Sequence, residues 1–288
     1  MMPRMPSSFL CQLGAALALA GLLSACQPAS STGTPDGAAA PSSATLPSSE
    51  SMNDLADIFP DPLVQQLAHA ARMGDLPRIE QLLSQGADVR LVGRHGMTVT
   101  HWALRAPKNA PQVMKRLLQA GADPVSMLAT GDNVPSYAVM RDRADPEVVK
   151  VLLDHGISPN WFPPDDPERE TSLIMKAVQG HNLPVIKLLV ERGANINHVN
   201  PISGSALHYA LGFQFDVAAY LVDAGIDLSL KSYTSPAIRN PKPKTALEWF
   251  CATEGNQRGA NPPEGMREKW DAFQAALARR GVSMPCGL

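Results

Sequence analysis

A five-residue phrase, Leu-Leu-x-x-Gly, returns down this chain at a nearly fixed interval. It reads Leu82-Leu83-Ser84-Gln85-Gly86, Leu117-Leu118-Gln119-Ala120-Gly121 and Leu152-Leu153-Asp154-His155-Gly156. Looser copies stand at Leu189-Val190-Glu191-Arg192-Gly193 and Leu221-Val222-Asp223-Ala224-Gly225. The glycines lie 35, 35, 37 and 32 residues apart. A period of this size belongs to stacked supersecondary units, each too small to bury its own apolar face. It argues against one closed core and moves the functional question from reaction chemistry to surface recognition.

Inside each period the apolar residues follow helical spacing. Val185, Ile186, Leu188 and Leu189 share one face, with Lys187 and Glu191 directed away. Val148, Val149, Val151, Leu152 and Leu153 repeat the pattern. These positions are scaffold and carry no functional assignment. The glycine that ends each phrase stands where a helix terminates in a left-handed residue.

Upstream of the phrase a second motif recurs. It reads Thr98-Val99-Thr100-His101-Trp102-Ala103 and Ser205-Ala206-Leu207-His208-Tyr209-Ala210. It resembles the Thr-Pro-Leu-His-x-Ala signature of ankyrin repeats. In that family a short first helix leads through a turn to a second helix ending in Leu-Leu-x-x-Gly, and then to a finger-like loop. Gly74-Asp75-Leu76 and Gly180-His181-Asn182-Leu183 fit the inter-helix turn. The resemblance covers residues 60 to 230 fully and 245 to 282 loosely. It implies an all-α ankyrin-repeat solenoid of five repeats plus a degenerate C-terminal capping repeat. It also assigns His101 and His208 to holding the turn by hydrogen bonds.

The register singles out one further position, between the signature His and Ala, which in this family points into a concave groove. The series is His69, Trp102, Tyr137, Lys176, Tyr209 and Trp249. Four of the six are Trp or Tyr, although the chain holds only 4 Trp and 4 Tyr. Such residues give large contact area at low entropy cost. The series is therefore expected to contact a partner, the alternative being that it packs on neighbouring repeats. Arg94 and His95 are a fingertip candidate for the same partner. Two fingers exceed the period. The first, 160 to 170, carries Trp161 and Phe162 as aromatic contact candidates, with Asp165, Asp166, Glu168 and Glu170 as a solvated acidic rim. The second, 230 to 244, carries Lys231, Tyr233, Arg239, Lys242 and Lys244. Their opposite charge suits a partner of mixed polarity.

The N-terminal region has a different character. Arg4 precedes an apolar stretch from Phe9 to Leu23 that ends in Leu23-Ser24-Ala25-Cys26. This resembles the bacterial lipoprotein signal, in which the Cys is lipidated. Residues 1–25 are then the signal peptide, and 26–55 the lipidated Cys26 with a flexible Ala/Ser/Pro tether. Residues 56–288 are the ankyrin-repeat domain with its cap. Gln27 follows instead of the Asp associated with inner-membrane retention, which favours the outer membrane. The tether has too little apolar content to fold, and a coil of its length reaches on the order of 30 Å. On this reading the domain faces the periplasm. Of four cysteines, Cys11 leaves with the signal and Cys26 carries lipid. Cys251 and Cys286 remain, in a compartment that permits disulfides, and are expected to pair across the last repeat. Two free buried thiols are the alternative.

Other classes find little support. The net charge is −2 at pH 7, without a basic run, so nucleic acid is not expected as a partner. None of the 7 His stands at metal-ligand spacing with Cys or carboxylates, so no metal and no cofactor is expected. No phosphate loop or nucleophile elbow occurs, and no catalytic residue is assigned. The expectation is a monomeric, non-catalytic, protein-binding lipoprotein. A lipoprotein with a Ser/Pro tether and ankyrin repeats resembles the immunity proteins of type VI secretion lipase effectors. That resemblance implies a secreted phospholipase as partner. The alternative is an envelope scaffold, or an accessory protein for a periplasmic enzyme.

Overall fold

The computed structural model describes residues 52–140, 144–162, 171–200, 204–212, 214–232, 242–253, 262 and 264–287. All fall in the compact unit Ser43–Leu288. The expected acidic rim, together with Tyr233 and Arg239, lies outside the described residues, as do the signal segment and Cys26.

After a short helix α1 (Met52–Ile58), helices come in pairs. The pairs are α2 (Pro62–Met73) with α3 (Leu76–Ser84), and α4 (Val99–Ala103) with α5 (Ala110–Gln119). Next come α6 (Val134–Met140) with α7 (Pro146–Asp154), and α8 (Leu173–Gln179) with α9 (Leu183–Glu191). The last pairs are α10 (Ala206–Ala210) with α11 (Phe215–Asp223), and α12 (Ala246–Ala252) with α13 (Arg267–Arg279). Two short antiparallel ribbons form fingers: β1 (Val199–Asn200) with β2 (Gly204–Ser205), and β3 (Lys231–Ser232) with β4 (Lys244–Thr245).

Local chemistry sets the boundaries. Asp61, Asp75, Asp145, Ser172, Asn182 and Thr245 each accept a hydrogen bond from a backbone N–H in the first turn they cap. Proline stands in the first turn of α2, α3, α5, α7 and α9, where its missing N–H costs nothing. The five phrase glycines end the second helices with φ between 85° and 100°. At Gly156 an added Cβ would meet nothing within 4 Å, so conformation alone explains that glycine. Gly74 adds a close approach, since a Cβ there would lie 2.2 Å from the Lys108 carbonyl oxygen of the next repeat.

First helices pack on first helices: α2 on α4, α6 on α8, α8 on α10 and α10 on α12. Second helices do likewise, α5 on α7, α7 on α9 and α11 on α13. Side-chain amides bridge consecutive repeats. Asn109 donates to Gly74 O and Asn182 to Ala144 O, each at 3.0 Å. Asn160 donates to Gly193 O at 3.0 Å and accepts from Asn195 N at 2.6 Å. Ion pairs tie the second-helix layer, Arg116 to Glu80 at 2.6 Å and Arg192 to Asp154 and Arg279 to Asp223 at 2.7 Å.

The ends close the stack. Trp270, Phe273, Ala276 and Leu277 of α13 are buried, as the sequence pattern requires of a cap. Phe215, Phe250, Trp270 and Phe273 form one aromatic cluster, with ring centroids 4.9 to 6.3 Å apart. The sulfurs of Cys251 and Cys286 lie at bonding distance, 2.09 Å, across a separation of 35 residues. At the other end Leu55, Ile58 and Phe59 are buried. The packed domain therefore reaches back to α1, and the expected tether boundary at residue 55 moves toward the N-terminus. The chain needs these apolar residues to cover repeat 1, which has no preceding neighbour.

Candidate functional site

The first helices and the fingers make one face of the solenoid, distinct from the ion-paired layer of second helices. Four residues of the register series are half-buried there: His69, Tyr137, Tyr209 and Trp249. Lys176 is also half-buried, but it is engaged. Its ammonium lies 3.3 Å from Asp132 of the preceding finger, with side-chain exposures of 15% and 26%. Thr130 donates to the other Asp132 oxygen at 3.4 Å. Burial, and then the negative charge of Asp132, push the Tyr137 phenol above its ordinary range. Burial pushes the half-buried Arg105 guanidinium down. Repeats 2 to 4 thus share a polar ladder of Arg105, Tyr137, Thr130, Asp132 and Lys176. Sequence reasoning named only two of these five. The others lie outside the repeated motifs, although Asp132 directly precedes the helix cap Asn133.

Trp102 departs from its expected role. Only 1% of it is exposed, so it is core and offers a partner nothing. All five residues of α4 are buried. The next finger lies against the preceding one, with Ala129 N donating to His95 O at 2.9 Å and Ser126 Oγ to Gly96 O at 3.4 Å. The Arg105 guanidinium sits 5.6 Å from the centre of the Trp102 ring. The indole Nε1 is buried without a hydrogen-bond partner in the protein. Trp161 and Phe162 are also not free contact residues. Trp161 is half-buried against the core, and the Phe162 ring centroid lies 4.8 Å from that of His198 in the next finger. Both turn back onto repeat 4, because the finger base is fixed by Asn160. Arg94 and His95 remain exposed at the first fingertip, His95 in a left-handed conformation with φ 58°. Val92 beside them is 54% exposed, one of two large apolar side chains that stand out among the described residues.

The signature histidines perform the turn-holding role. His101 Nδ1 accepts from Thr98 N at 3.2 Å, and His208 Nδ1 from Ser205 N at 3.2 Å. Each also lies within 2.9 Å of the cap hydroxyl. Burial holds both imidazoles neutral, His101 down to about 4 and His208 below its ordinary value.

Among the described residues, the described clefts hold no nucleophile paired with a base. The largest described, about 740 Å³, is lined by Gln66, His69, Met73, Arg78, Pro107 and Lys108 among others. A second, about 590 Å³, holds His181, Asp216 and Lys269. There His181 Nε2 and Lys269 Nζ share the Asp216 carboxylate, at 3.3 and 3.0 Å. Burial opposes ionisation of Asp216, but the hydrogen bonds from Lys269 and His181 hold its pKa below the ordinary carboxylate range. This cluster pins the cap to repeats 4 and 5. Among the described residues no group of three or more His, Cys, Asp or Glu could hold a metal ion.

A stack of helix pairs with signature histidines and projecting fingers defines a repeat scaffold of the kind used for protein interaction. The chain belongs to the ankyrin-repeat family. The family model of ankyrin repeats matches residues 67–163, 106–200 and 135–232, together more than half of the sequence. Among curated proteins, a putative ankyrin repeat protein of Fowlpox virus (strain NVSL) is 33% identical over 73 residues. That match takes in 25% of this chain and only 14% of the viral protein. Solved structures share the fold. The ankyrin repeat domain of Bcl-3 superposes with a TM-score of 0.55 at 20% identity, over 76% of this chain and 86% of that one. An ankyrin repeat domain from Acinetobacter baumannii AYE gives 0.56 at 21% identity, over 75% and 98%. A chain from the complex of a predatory endopeptidase of Bdellovibrio bacteriovorus with its immunity protein gives 0.52 at 22%, over 75% and 97%.

Proposed function

We propose that this protein is a non-catalytic inhibitor, held by lipid at Cys26 on the periplasmic side of the envelope, more specifically at the outer membrane. Its partner is a secreted phospholipase effector delivered by type VI secretion, which it binds and neutralises. The observation that carries the reading is the contrast between its two faces. The second-helix layer spends charged side chains on ties between repeats, Arg116–Glu80, Arg192–Asp154 and Arg279–Asp223. The first-helix and finger face instead presents half-buried Tyr137, Tyr209 and Trp249 beside exposed Arg94, Lys231 and Lys244. Aromatic residues flanked by uncompensated cations suit a partner's surface.

Two further points support the narrower role. The Leu23-Ser24-Ala25-Cys26 sequence and the Ser/Pro tether match a lipoprotein leader. Anchoring concentrates an inhibitor beside the lipid that a phospholipase attacks. The same repeat fold also occurs in the endopeptidase–immunity complex of Bdellovibrio. The test is periplasmic co-expression with candidate secreted phospholipases, beginning with any that an adjacent gene encodes. Cells carrying this chain survive, and the two proteins co-purify. Lysis at the same rate with and without the chain refutes the immunity role.

A further inference from the structure

The finger formed by β3 and β4 carries three exposed lysines in a short span of chain at its base. Lys231 pairs across the ribbon with Thr245, and Ser232 with Lys244. Lys231, Lys242 and Lys244 are all exposed, and none forms an ion pair among the described residues. The carboxylate that feels this charge, Glu248, is already committed. It accepts the Thr245 N–H at 2.8 Å, and Thr245 Oγ1 accepts the Glu248 N–H at 3.2 Å. That backbone hydrogen bond first, with Lys231 and Lys244 adding to it, holds Glu248 below its ordinary range. Lys231 and Lys244 therefore act on a carboxylate that is already hydrogen-bonded, and Lys242 has no carboxylate partner among the described residues. Beneath them the Ser232 hydroxyl is buried with no hydrogen-bond partner in the protein. Beside the ribbon, α12 carries half-buried Trp249, and α10, packed on α12, carries half-buried Tyr209 at the same register position.

We propose that this finger docks an acidic segment of a partner protein. The segment sets Asp or Glu carboxylates on Lys231, Lys242 and Lys244 and apolar side chains against Trp249 and Tyr209. The inference rests on the protein-binding reading of this face and adds the sign of the partner's charge. It favours a peptide over a lipid surface because the cations adjoin two ring-bearing first helices, which a folded chain can contact side by side. An acidic partner supplies the countercharge that these exposed ammonium groups lack among the described residues.

The test uses the full chain bearing Cys26→Ser, so that lipid does not obscure the result. Two fluorescein-labelled synthetic peptides are compared by anisotropy: one alternates Glu with Leu and Tyr, and its twin carries Gln for every Glu. The acidic peptide binds more tightly, by about tenfold, and raising the salt removes the difference. The K231E/K242E/K244E variant loses that preference. A K115E/K150E/K187E variant on the second-helix layer keeps it, with circular dichroism checking that both remain folded. Equal binding of the two peptides, or equal loss in both variants, overturns the proposal. So does lysine-dependent binding to vesicles of phosphatidylglycerol in phosphatidylcholine without binding of the acidic peptide, since the finger would then read lipid. The peptides involve no toxin, so failure of the immunity role and failure of acidic docking are read separately.

Discussion

His101 in repeat 2 and His208 in repeat 5 begin from the same local rule and end in different surroundings. Both accept the backbone N–H of their helix cap at Nδ1, so each neutral ring carries its proton on Nε2. His208 Nε2 reaches the Lys244 carbonyl at 3.3 Å, in the finger of the next repeat. His101 Nε2 is buried with no partner in the protein. The residue equivalent to Lys244 there is Asp132, which also directly precedes a helix cap. Its carbonyl is taken by Leu128 N at 2.7 Å, because that finger closes into its own tight turn. Trp102 Nε1 and Ser136 Oγ lie unpartnered in the same two repeats. The C-terminal end also buries two unpartnered atoms, Gln214 Oε1 and Ser232 Oγ, but it has its histidine satisfied, an aromatic cluster, and the Cys251–Cys286 contact. One signature therefore fixes the turn but not its energy. Whether the second nitrogen is satisfied depends on the path of the following finger.

The comparison makes Trp270 the most costly side chain to remove. Trp270→Ala empties a fully buried site between Phe215, Phe250 and Phe273 and should cost about 3–5 kcal/mol. Urea unfolding followed by cap-region hydrogen exchange reads this. A loss under 1 kcal/mol, on the order of a surface substitution, would remove the claim that the cap is the firm end.

Acid should act next, and on repeat 2. The pKa of His101 is pushed down to about 4 in the folded protein from the ordinary histidine value of 6.5, with burial the main cause. The unfolded chain therefore takes up the proton first. The contribution is complete above about pH 6.5 and is lost as pH falls through about 4, amounting to on the order of 3 kcal/mol. His101→Asn keeps an acceptor for the Thr98 N–H but cannot titrate. Wild type should lose more stability than this variant between pH 7 and pH 4 in urea titrations. Parallel curves would show that the histidine is not the acid-sensitive element.

The smallest effects separate satisfied from unsatisfied hydroxyls. Thr245→Ala deletes the cap of α12 and should cost about 1 kcal/mol. Ser136→Ala deletes a hydroxyl that has no partner and should be neutral or stabilising by up to about 1 kcal/mol. Thermal unfolding of the two variants side by side checks the difference in sign. A destabilised Ser136→Ala would mean that the hydroxyl has a partner, such as bound water.

These contrasts also mark what the sequence could express. The phrase glycines were legible because only a left-handed residue ends those helices, and all five have positive φ. The inward face of α13 was legible because Trp270, Phe273, Ala276 and Leu277 recur at helical spacing. The register series was legible as a register but not as a surface. Trp102 shares its motif position with Tyr209, yet only Tyr209 keeps partial exposure. What buries a side chain here is the fold of a finger, and finger sequences do not repeat. The pairing of Lys176 with Asp132 joins residues 44 apart and follows no motif. Trp161 and Phe162 looked like a protruding contact because their finger is long. Its base is fixed by Asn160, which hydrogen-bonds the next repeat at residues 193 and 195.

The account stands on the claim that recognition belongs to the first-helix and finger face. Hydrogen exchange of the full chain, alone and bound to the phospholipase it is proposed to neutralise, tests this most directly. Slowed exchange should concentrate in the fingers around residues 92–97, 199–205 and 231–245, and along α6, α8, α10 and α12. Slowing confined to α5, α7 and α9, or none anywhere, would contradict it.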